Sequence, residues 1–480
     1  MVDAPAQVES AAASAAKPFS SLVPAIIGGA LMMQTLNATV VANALPTMAR
    51  SLHEDPIRLN AAITVYLLAG AVCLPISGWV ADRFGAKRVF IIAIIAYASA
   101  CAASGFAHSF TQLLLARMCQ GAAGAMMGPV GRLVLLRTTP RHNLVRAMSV
   151  LTMPALLGPV VGPPIGGLII TYASWRYIFF LNLPIALVGV VLVSRFINDV
   201  REEQSHPLDW TGLVLTGVGM AGVVYGFDNL GRGVLPDWVV AAMMIGGATC
   251  LLLYWRHAGR VEHAILDVDL LKIPTFTASV IGGSFMRMGI GATPFLLALL
   301  LQVAFGLSAL QAGLMTFASA AAALVMKTAA PPILARFGFR ATLIGNAVIV
   351  AVSFMAYGLF RPDTPLWIIY AILLTGGFFR SLQFTSLNGM AFADVDHARM
   401  SRASTMSTMG QQVSQSIGIG MAALFLHILL AHAHTTHLTA AIFTPAFAMI
   451  GLISLISLAF FLPLPHDAGE GLHGSPRTAA

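Results

Sequence analysis

The 480-residue sequence predicts an all-α membrane protein with fourteen transmembrane helices. Three observations carry this. Hydrophobic residues make up 58% of the chain and charged residues only 10%, with a mean hydropathy of +0.82; a soluble domain carries about 25% charged residues. Apolar runs long enough to span a bilayer, about 20 residues each, recur along the whole chain. The basic residues are gathered in short loops between these runs, where Lys and Arg set membrane orientation. The net charge of +8 therefore reads as topology and excludes a nucleic-acid partner.

The runs lie near 20–46, 60–81, 87–107, 110–136, 146–171, 176–197, 209–228, 236–256, 275–303, 308–333, 341–360, 365–391, 404–431 and 438–463. The first follows a polar, Ala-rich stretch from Met1 to Lys17 with no basic region and cleavage site, so it is expected to stay as a helix. The second and third join through Gly78 to Arg88. The fourth carries Arg117 and Arg132, and the fifth carries Gly158-Pro159-Val160-Val161-Gly162-Pro163-Pro164-Ile165-Gly166-Gly167. A membrane helix tolerates such prolines when its neighbours re-satisfy the freed backbone groups, and the glycines leave a flat face for close packing. The ninth, tenth and twelfth runs carry Arg287, Lys327 and Arg380. The thirteenth places Ser404, Thr408, Gln411, Gln412 and Gln415 near one face, as interhelical contacts or as cavity lining. Gln34, Asn43, Gln302, Gln383 and Asn388 admit the same two readings. The segment after Pro465 is polar.

With the N-terminus inside, 17 of the 27 Lys and Arg residues fall in cytoplasmic loops and tails, five on the opposite side and five within helices. This bias places both termini in the cytoplasm. A weak internal repeat, Asp82-Arg83-Phe84-Gly85 and Ala335-Arg336-Phe337-Gly338, follows the second and tenth runs. Corresponding loops of this kind mark an internally duplicated transporter. Two runs more than a six-plus-six duplication requires lie between them, and the seventh and eighth are the expected insertion. The resulting division is a tail at 1–19, a six-helix bundle at 20–200, two inserted helices at 201–260, a second bundle at 261–465 and a tail at 466–480.

The four cysteines, Cys73, Cys101, Cys119 and Cys250, fall inside apolar runs and show neither a disulfide framework nor metal spacing. His432, His434 and His437 lie in one loop, where a solvated turn competes with metal binding. No metal and no cofactor is expected. Paired mid-membrane carboxylates, a zinc motif, a nucleophile elbow and a phosphate loop are all missing, which argues against a membrane enzyme.

Arg117 sits within a span, where a charge costs about 2.5–3.5 kcal/mol on insertion scales. It must face an interior or a watery cavity. In the loop from Gly78 to Arg88, a positive-inside turn explains Arg83, Lys87 and Arg88, but not Asp82 or the glycines Gly78 and Gly85. Asp82 at a helix end suits capping of a neighbouring helix and a latch between conformations.

These segments resemble the major facilitator superfamily. Gly78 to Arg88 resembles its loop 2–3 signature, Arg117-x-x-Gln120-Gly121 its helix 4 signature and Gly158 to Gly167 its helix 5 antiporter signature. Leu36-Asn37-Ala38-Thr39-Val40-Val41-Ala42-Asn43-Ala44-Leu45-Pro46 and Trp175 to Pro184 resemble helix 1 and helix 6 signatures of the fourteen-helix drug:proton antiporters. The resemblance implies the major facilitator fold, a bacterial inner-membrane location, a monomer in the lipid bilayer, and export of small molecules, drugs or other toxic compounds, by proton-coupled alternating access. The residues expected to serve substrate and coupling are Asn37, Arg117, Gln120, Arg287, Arg380 and Gln411. Those expected to serve gating are Gly78, Asp82, Arg83, Gly85, Arg88, Gly158, Pro159, Gly162, Pro163 and Gly166, with the Gly/Pro face sliding against Ala320 to Ala323.

One departure matters. That helix 1 signature usually carries Asp where this chain has Asn37, and Asn cannot titrate. Arg117, Arg287, Lys327 and Arg380 all lie in apolar runs with no acid nearby in sequence. Each either bonds carbonyls and hydroxyls or meets an anion. The second reading is thus an exporter or facilitator of an anionic metabolite without the usual acidic coupling site.

Overall fold

The computed structural model describes residues 21–138, 144–197, 208–230, 235–261, 264–396, 399–435, 437–465 and 468. The expected N-terminal tail, and all of the C-terminal tail but Ala468, lie outside these residues, as do Lys17, Arg141, Arg201, Arg232 and Arg477 of the charge argument.

Every regular element among the described residues is helical. In chain order they are α1 (Leu22–Leu52), α2 (Ala61–Cys73), α3 (Ile76–Phe84), α4 (Ala86–Gly105), α5 (Phe110–Thr138), α6 (Leu144–Tyr172), α7 (Tyr177–Phe180), α8 (Asn182–Phe196), α9 (Trp210–Asn229) and α10 (Asp237–Ala258). There follow α11 (Pro274–Thr277), α12 (Gly283–Leu299), α13 (Ala309–Tyr357), α14 (Leu366–Met390), α15 (Met400–His432), α16 (Ala440–Leu455) and α17 (Leu458–Phe461). Among the described residues ten helices are long and apolar enough to cross a membrane, or eleven when the bent pair at Arg58–Phe84 counts as one span, against fourteen expected.

The differences from expectation have local causes. The second run bends by 57° between Cys73 and Ile76, at Pro75, which lacks an N–H and crowds the preceding turn. The tenth and eleventh runs form the 49-residue α13 with no loop; the turn is one residue, Gly338, at φ 73° and ψ 166°. In α5, Arg117, Gln120 and Arg132 lower the apolar character that a span requires. The fifth run forms one 29-residue helix, α6. Conversely α11 and α12 join through π-helical turns at Ala278–Gly282 and Leu300–Ala304 into a 31-residue apolar helix.

Small residues set the closest packing. α6 lies along α1, where a Cβ on Gly28 would come 2.6 Å from the Leu151 carbonyl and one on Gly166 2.6 Å from Val40. α9 pairs with α10 through Gly219, Gly222 and Gly247; a Cβ on Gly247 would sit 2.7 Å from the Gly219 carbonyl. Such surfaces let membrane helices approach where water gives no driving force. Trp238, Ile245, Leu252 and Trp255 on α10 face outward, as a lipid-facing helix requires. Contacts across the chain's two halves run along α1 with α12, α6 with α13 and α2 with α15, and α9 also touches α2 and α15.

Candidate functional site

Arg117 is wholly buried, together with Asn37 and Gln120. Its placement follows from α5, whose 3.6-residue repeat puts Arg117 and Gln120 on one face. Nη1 donates to Asn37 Oδ1 and to Gln120 Oε1, both at 2.7 Å, and Nε donates to the Ala62 carbonyl at 3.1 Å. The guanidinium lies 4.3 Å from the centroid of the Tyr66 ring, and Gln120 Nε2 reaches Cys101 Sγ at 3.0 Å. Three helices thus converge on one cation with neutral acceptors and a π-face. Arg117 Nη2 and Asn37 Nδ2 have no hydrogen-bond partner among the described residues. Tyr66 and Cys101 were not singled out from sequence; a Tyr or Cys in an apolar run carries no local signal.

Three further cations inside apolar runs, Arg287, Lys327 and Arg380, lie around α14. Arg287 is fully buried and donates from Nη1 to the Ser279 carbonyl at 2.7 Å, in the π-helical turn, and from Nη2 to Asn388 Oδ1 at 3.4 Å. Lys327 donates to Thr385 Oγ1 at 2.9 Å and Arg380 to Ser319 Oγ at 3.1 Å. Each meets carbonyl, hydroxyl or amide oxygen. Gln411 is half-buried on α15. The structure brings Asn37, Arg117 and Gln120 together, and holds Arg287 and Arg380 in separate contacts with other elements.

The gating candidates separate likewise. The Gly/Pro face of α6 is turned to α1 rather than to Ala320 to Ala323: a Cβ on Gly158 would strike Thr35 Oγ1, and one on Gly162 Thr39 Oγ1. The two hydroxyls donate to carbonyls of their own helix, Met32 and Leu36, so they hug α1 and leave room for the glycines. α6 also packs on α13: a Cβ on Gly313 would strike the Pro163 carbonyl, and one on Gly167 would lie 2.6 Å from the Ala309 carbonyl. Pro159 is half-buried beside this face. In the basic loop, Gly85 turns the chain at φ 92°, Asp82 is half-buried, and Arg83 and Arg88 are exposed. Gly78 is exposed, and a Cβ there would meet nothing within 4 Å. Beside the same face, Asp267 accepts from Arg399 Nε at 2.8 Å and Nη2 at 2.7 Å, which raises that guanidinium above its ordinary value.

A seam between the halves closes the opposite face. Asn43 Nδ2 donates to the Ala309 carbonyl at 3.1 Å and to the Pro163 carbonyl at 3.4 Å, while Gln302 Nε2 donates to the Asn43 carbonyl at 2.8 Å and to its Oδ1 at 2.9 Å. Thr171 Oγ1 accepts from the Leu310 N–H at 3.1 Å. Polar residues in apolar runs, Asn43 and Gln302, were the available signal; that they join two halves was not readable. Among the described residues no three His, Cys, Asp or Glu side chains gather to hold a metal.

A family model described as Major Facilitator Superfamily matches residues 27–419. The chain is 33% identical over 440 residues to a putative multidrug resistance protein MdtD of Pectobacterium atrosepticum, covering 91% of this chain and 94% of that one. It is 32% identical over 459 residues to the protein of the same name from Salmonella paratyphi A, covering 93% and 95%. Among solved structures, a D-xylose-proton symporter aligns with TM-score 0.67 at 13% identity, covering 93% of this chain and 98% of that one. A bacterial homologue of the human lysosomal transporter Spinster aligns with TM-score 0.66 at 15% identity, covering 97% and 100%. At these identities the two structures speak for the fold alone.

Proposed function

This chain belongs to the major facilitator superfamily, of the multidrug efflux type, and from that premise we propose that it exports drugs or other toxic small molecules by proton-coupled alternating access. It is a transporter, not an enzyme. Fourteen spans are counted when α13 is divided at Gly338, α2 and α3 are taken as one, and α5 and α6 each cross once. Two six-helix bundles then flank the inserted pair α9 and α10, both termini lie in the cytoplasm, and the basic loop of Arg83 and Arg88 faces inward. The protein works as a monomer in the bacterial inner membrane.

The observation that carries this reading is the seam at Asn43, Pro163, Gln302 and Ala309. It is built of a few amide hydrogen bonds and small-residue contacts, each net worth about 1 kcal/mol. Such a seam opens without unfolding either bundle. Gly158, Pro159, Gly162, Pro163 and Gly166 keep α6 flush on α1 so that the two move together. Gly78, Asp82, Arg83, Gly85 and Arg88 latch the inner face. Arg117 with Asn37 and Gln120, and Arg287, Arg380 and Gln411 in the second bundle, serve substrate and coupling.

The test is accumulation of a cationic dye in an efflux-deficient bacterial host expressing the chain, with and without a protonophore. Lower accumulation that the protonophore restores supports proton-driven export. Unchanged accumulation with the protein in the membrane rejects a cationic-drug pump.

A second reading has its own observation. Arg287, Lys327 and Arg380 cluster around α14 with neutral partners only. An anionic substrate would supply the missing charge, and uptake of an organic anion that falls with Arg287→Ala or Arg380→Ala would favour it.

A further inference from the structure

We infer that Asp228 binds the coupling proton, in the place of the acid that the first span lacks, and that the polar stripe of α15 leads from it to the inner face. This rests on the proton-coupled reading above.

Asn37 occupies the position facing Arg117 and cannot exchange a proton, so a proton-coupled exporter with this sequence needs another group. Among the described residues, Asp228 is the one carboxylate buried outright, at 3% exposure. It lies one residue from the end of α9, where the inserted pair meets both bundles. From the first bundle, Asn60 Nδ2 and Thr64 Oγ1 both donate to its Oδ1 at 3.5 Å. From the second, a Cβ on Gly420 of α15 would lie 3.3 Å from the same oxygen. A carboxylate enclosed there feels any parting of the two halves.

The α15 polar face runs from this point at four-residue intervals. Ser416 Oγ donates to the Thr64 carbonyl at 3.3 Å. Gln412 Oε1 would lie 2.7 Å from a Cβ on Gly70 of α2, and it has no hydrogen-bond partner among the described residues. Thr408 Oγ1 donates to the Ser404 carbonyl at 2.8 Å, and Ser404 Oγ accepts from Arg132 Nη1 of α5 at 3.0 Å. Gly420, Ser416, Gln412, Thr408 and Ser404 therefore line one face, turned to the first bundle from Asp228 down to Arg132. Hydroxyls and amides both donate and accept, as a proton path requires.

The charged and titratable groups on the packed elements are few. Arg58, in the turn before α2, pairs with Glu54 at 3.1 Å. Tyr66 of α2 holds Arg117, and Cys73 is half-buried farther along that helix. On α15, Arg402 lies near the first turn, and His427 and His432 are exposed towards the last. Asp209 caps the opposite end of α9 beside His257, and Tyr225 is one turn before Asp228.

The step balances without redox chemistry. When the seam opens, the Asp228 carboxylate takes a proton from external water and becomes a neutral acid. The neutral acid is cheaper to enclose than the anion, so protonation favours closure of that face. The O–H bond then breaks, the proton leaves along α15 to internal water, and the carboxylate returns.

The experiment uses the full chain purified into liposomes, with ethidium as probe, and infrared difference spectra between acid and neutral pH. Wild type should show the carbonyl stretch of a protonated carboxylic acid, and Asp228→Asn should lose that band. Asp228→Asn should also lose about tenfold or more of pH-gradient-driven ethidium accumulation, while gradient-free ethidium counterflow is unchanged. Asp228→Glu should keep coupling, and Gln412→Leu should slow gradient-driven transport without touching counterflow. Full gradient-driven transport in Asp228→Asn, an unchanged infrared band, or equal loss of both transport modes would overturn the inference. If ethidium is not moved in either mode, the drug-export reading falls, and the infrared band alone decides Asp228.

Discussion

Arg117 and Arg287 are both fully buried guanidiniums, one in each half of the chain, yet they are held differently. Arg117 is fixed from three directions: Asn37 of α1, the Ala62 carbonyl and Tyr66 ring of α2, and Gln120 of its own helix. Arg287 has one short bond, to a carbonyl eight residues back, and a longer one to Asn388. A side chain pinned by short bonds from several helices acts as a strut. One with a single short partner has donors to spare for a ligand. The first bundle is thus built around its cation, while the second presents its cations.

Arg117→Ala should break this comparison most visibly. It leaves Asn37 Oδ1 and Gln120 Oε1 without the donor they share, at a cost of about 2–3 kcal/mol, and should abolish export with a clear fall in the melting temperature of the detergent-solubilised protein. Arg287→Ala should abolish or reshape substrate selection with about half that loss of stability, because fewer partners are orphaned. Equal melting shifts for the two variants would refute the strut-and-ligand contrast.

The glycine face offers the next effect. Gly158→Leu should force α6 off α1 by pressing on Thr35, costing about 1–3 kcal/mol through overpacking. The double variant Gly158→Ala with Thr35→Ala should recover part of that loss, which thermal unfolding would read. Gly78→Ala is the contrasting case. Nothing lies within 4 Å of its Cβ position, so packing predicts an unchanged melting point. A transport defect without a stability change at Gly78 would place its role in a conformation other than this one.

These contrasts also explain what was legible in the sequence. Spans, charge bias and the paired basic loops are one-dimensional signals, since hydropathy and Lys/Arg placement need no knowledge of neighbours. Asn37, Arg117 and Gln120 were picked out one by one through the resemblance, but that they bond to one another was not readable. Nor were contacts between distant runs. Nothing in Gly158 to Gly167 says that its flat face meets α1 rather than α13, because either partner offers small side chains. Asp228 falls at the end of the apolar run near 209–228, and its enclosure depends on how α9 docks on α2 and α15. Pro75 was visible, but whether a proline bends a span depends on what re-satisfies the freed carbonyl.

The smallest predicted effect tests the duplication itself. Gly85 and Gly338 end the two copies of the repeat, and both adopt positive φ, 92° and 73°, with ψ 127° and 166°, outside the left-handed helical well, where a Cβ costs about 1–3 kcal/mol. They do so in different settings: Gly85 is buried between α3 and α4, whereas a Cβ on Gly338 would meet nothing within 4 Å. Gly338→Ala should therefore cost only the conformational strain, about 1–3 kcal/mol, and Gly85→Ala somewhat more because packing adds to it. Gly338→Asn should recover little of the loss, since ψ 166° lies outside the left-handed helical well that Asn tolerates. If both Ala variants melt like the parent, the two turns are not held in that backbone region, and the single-residue hinge in α13 gives way to a longer loop.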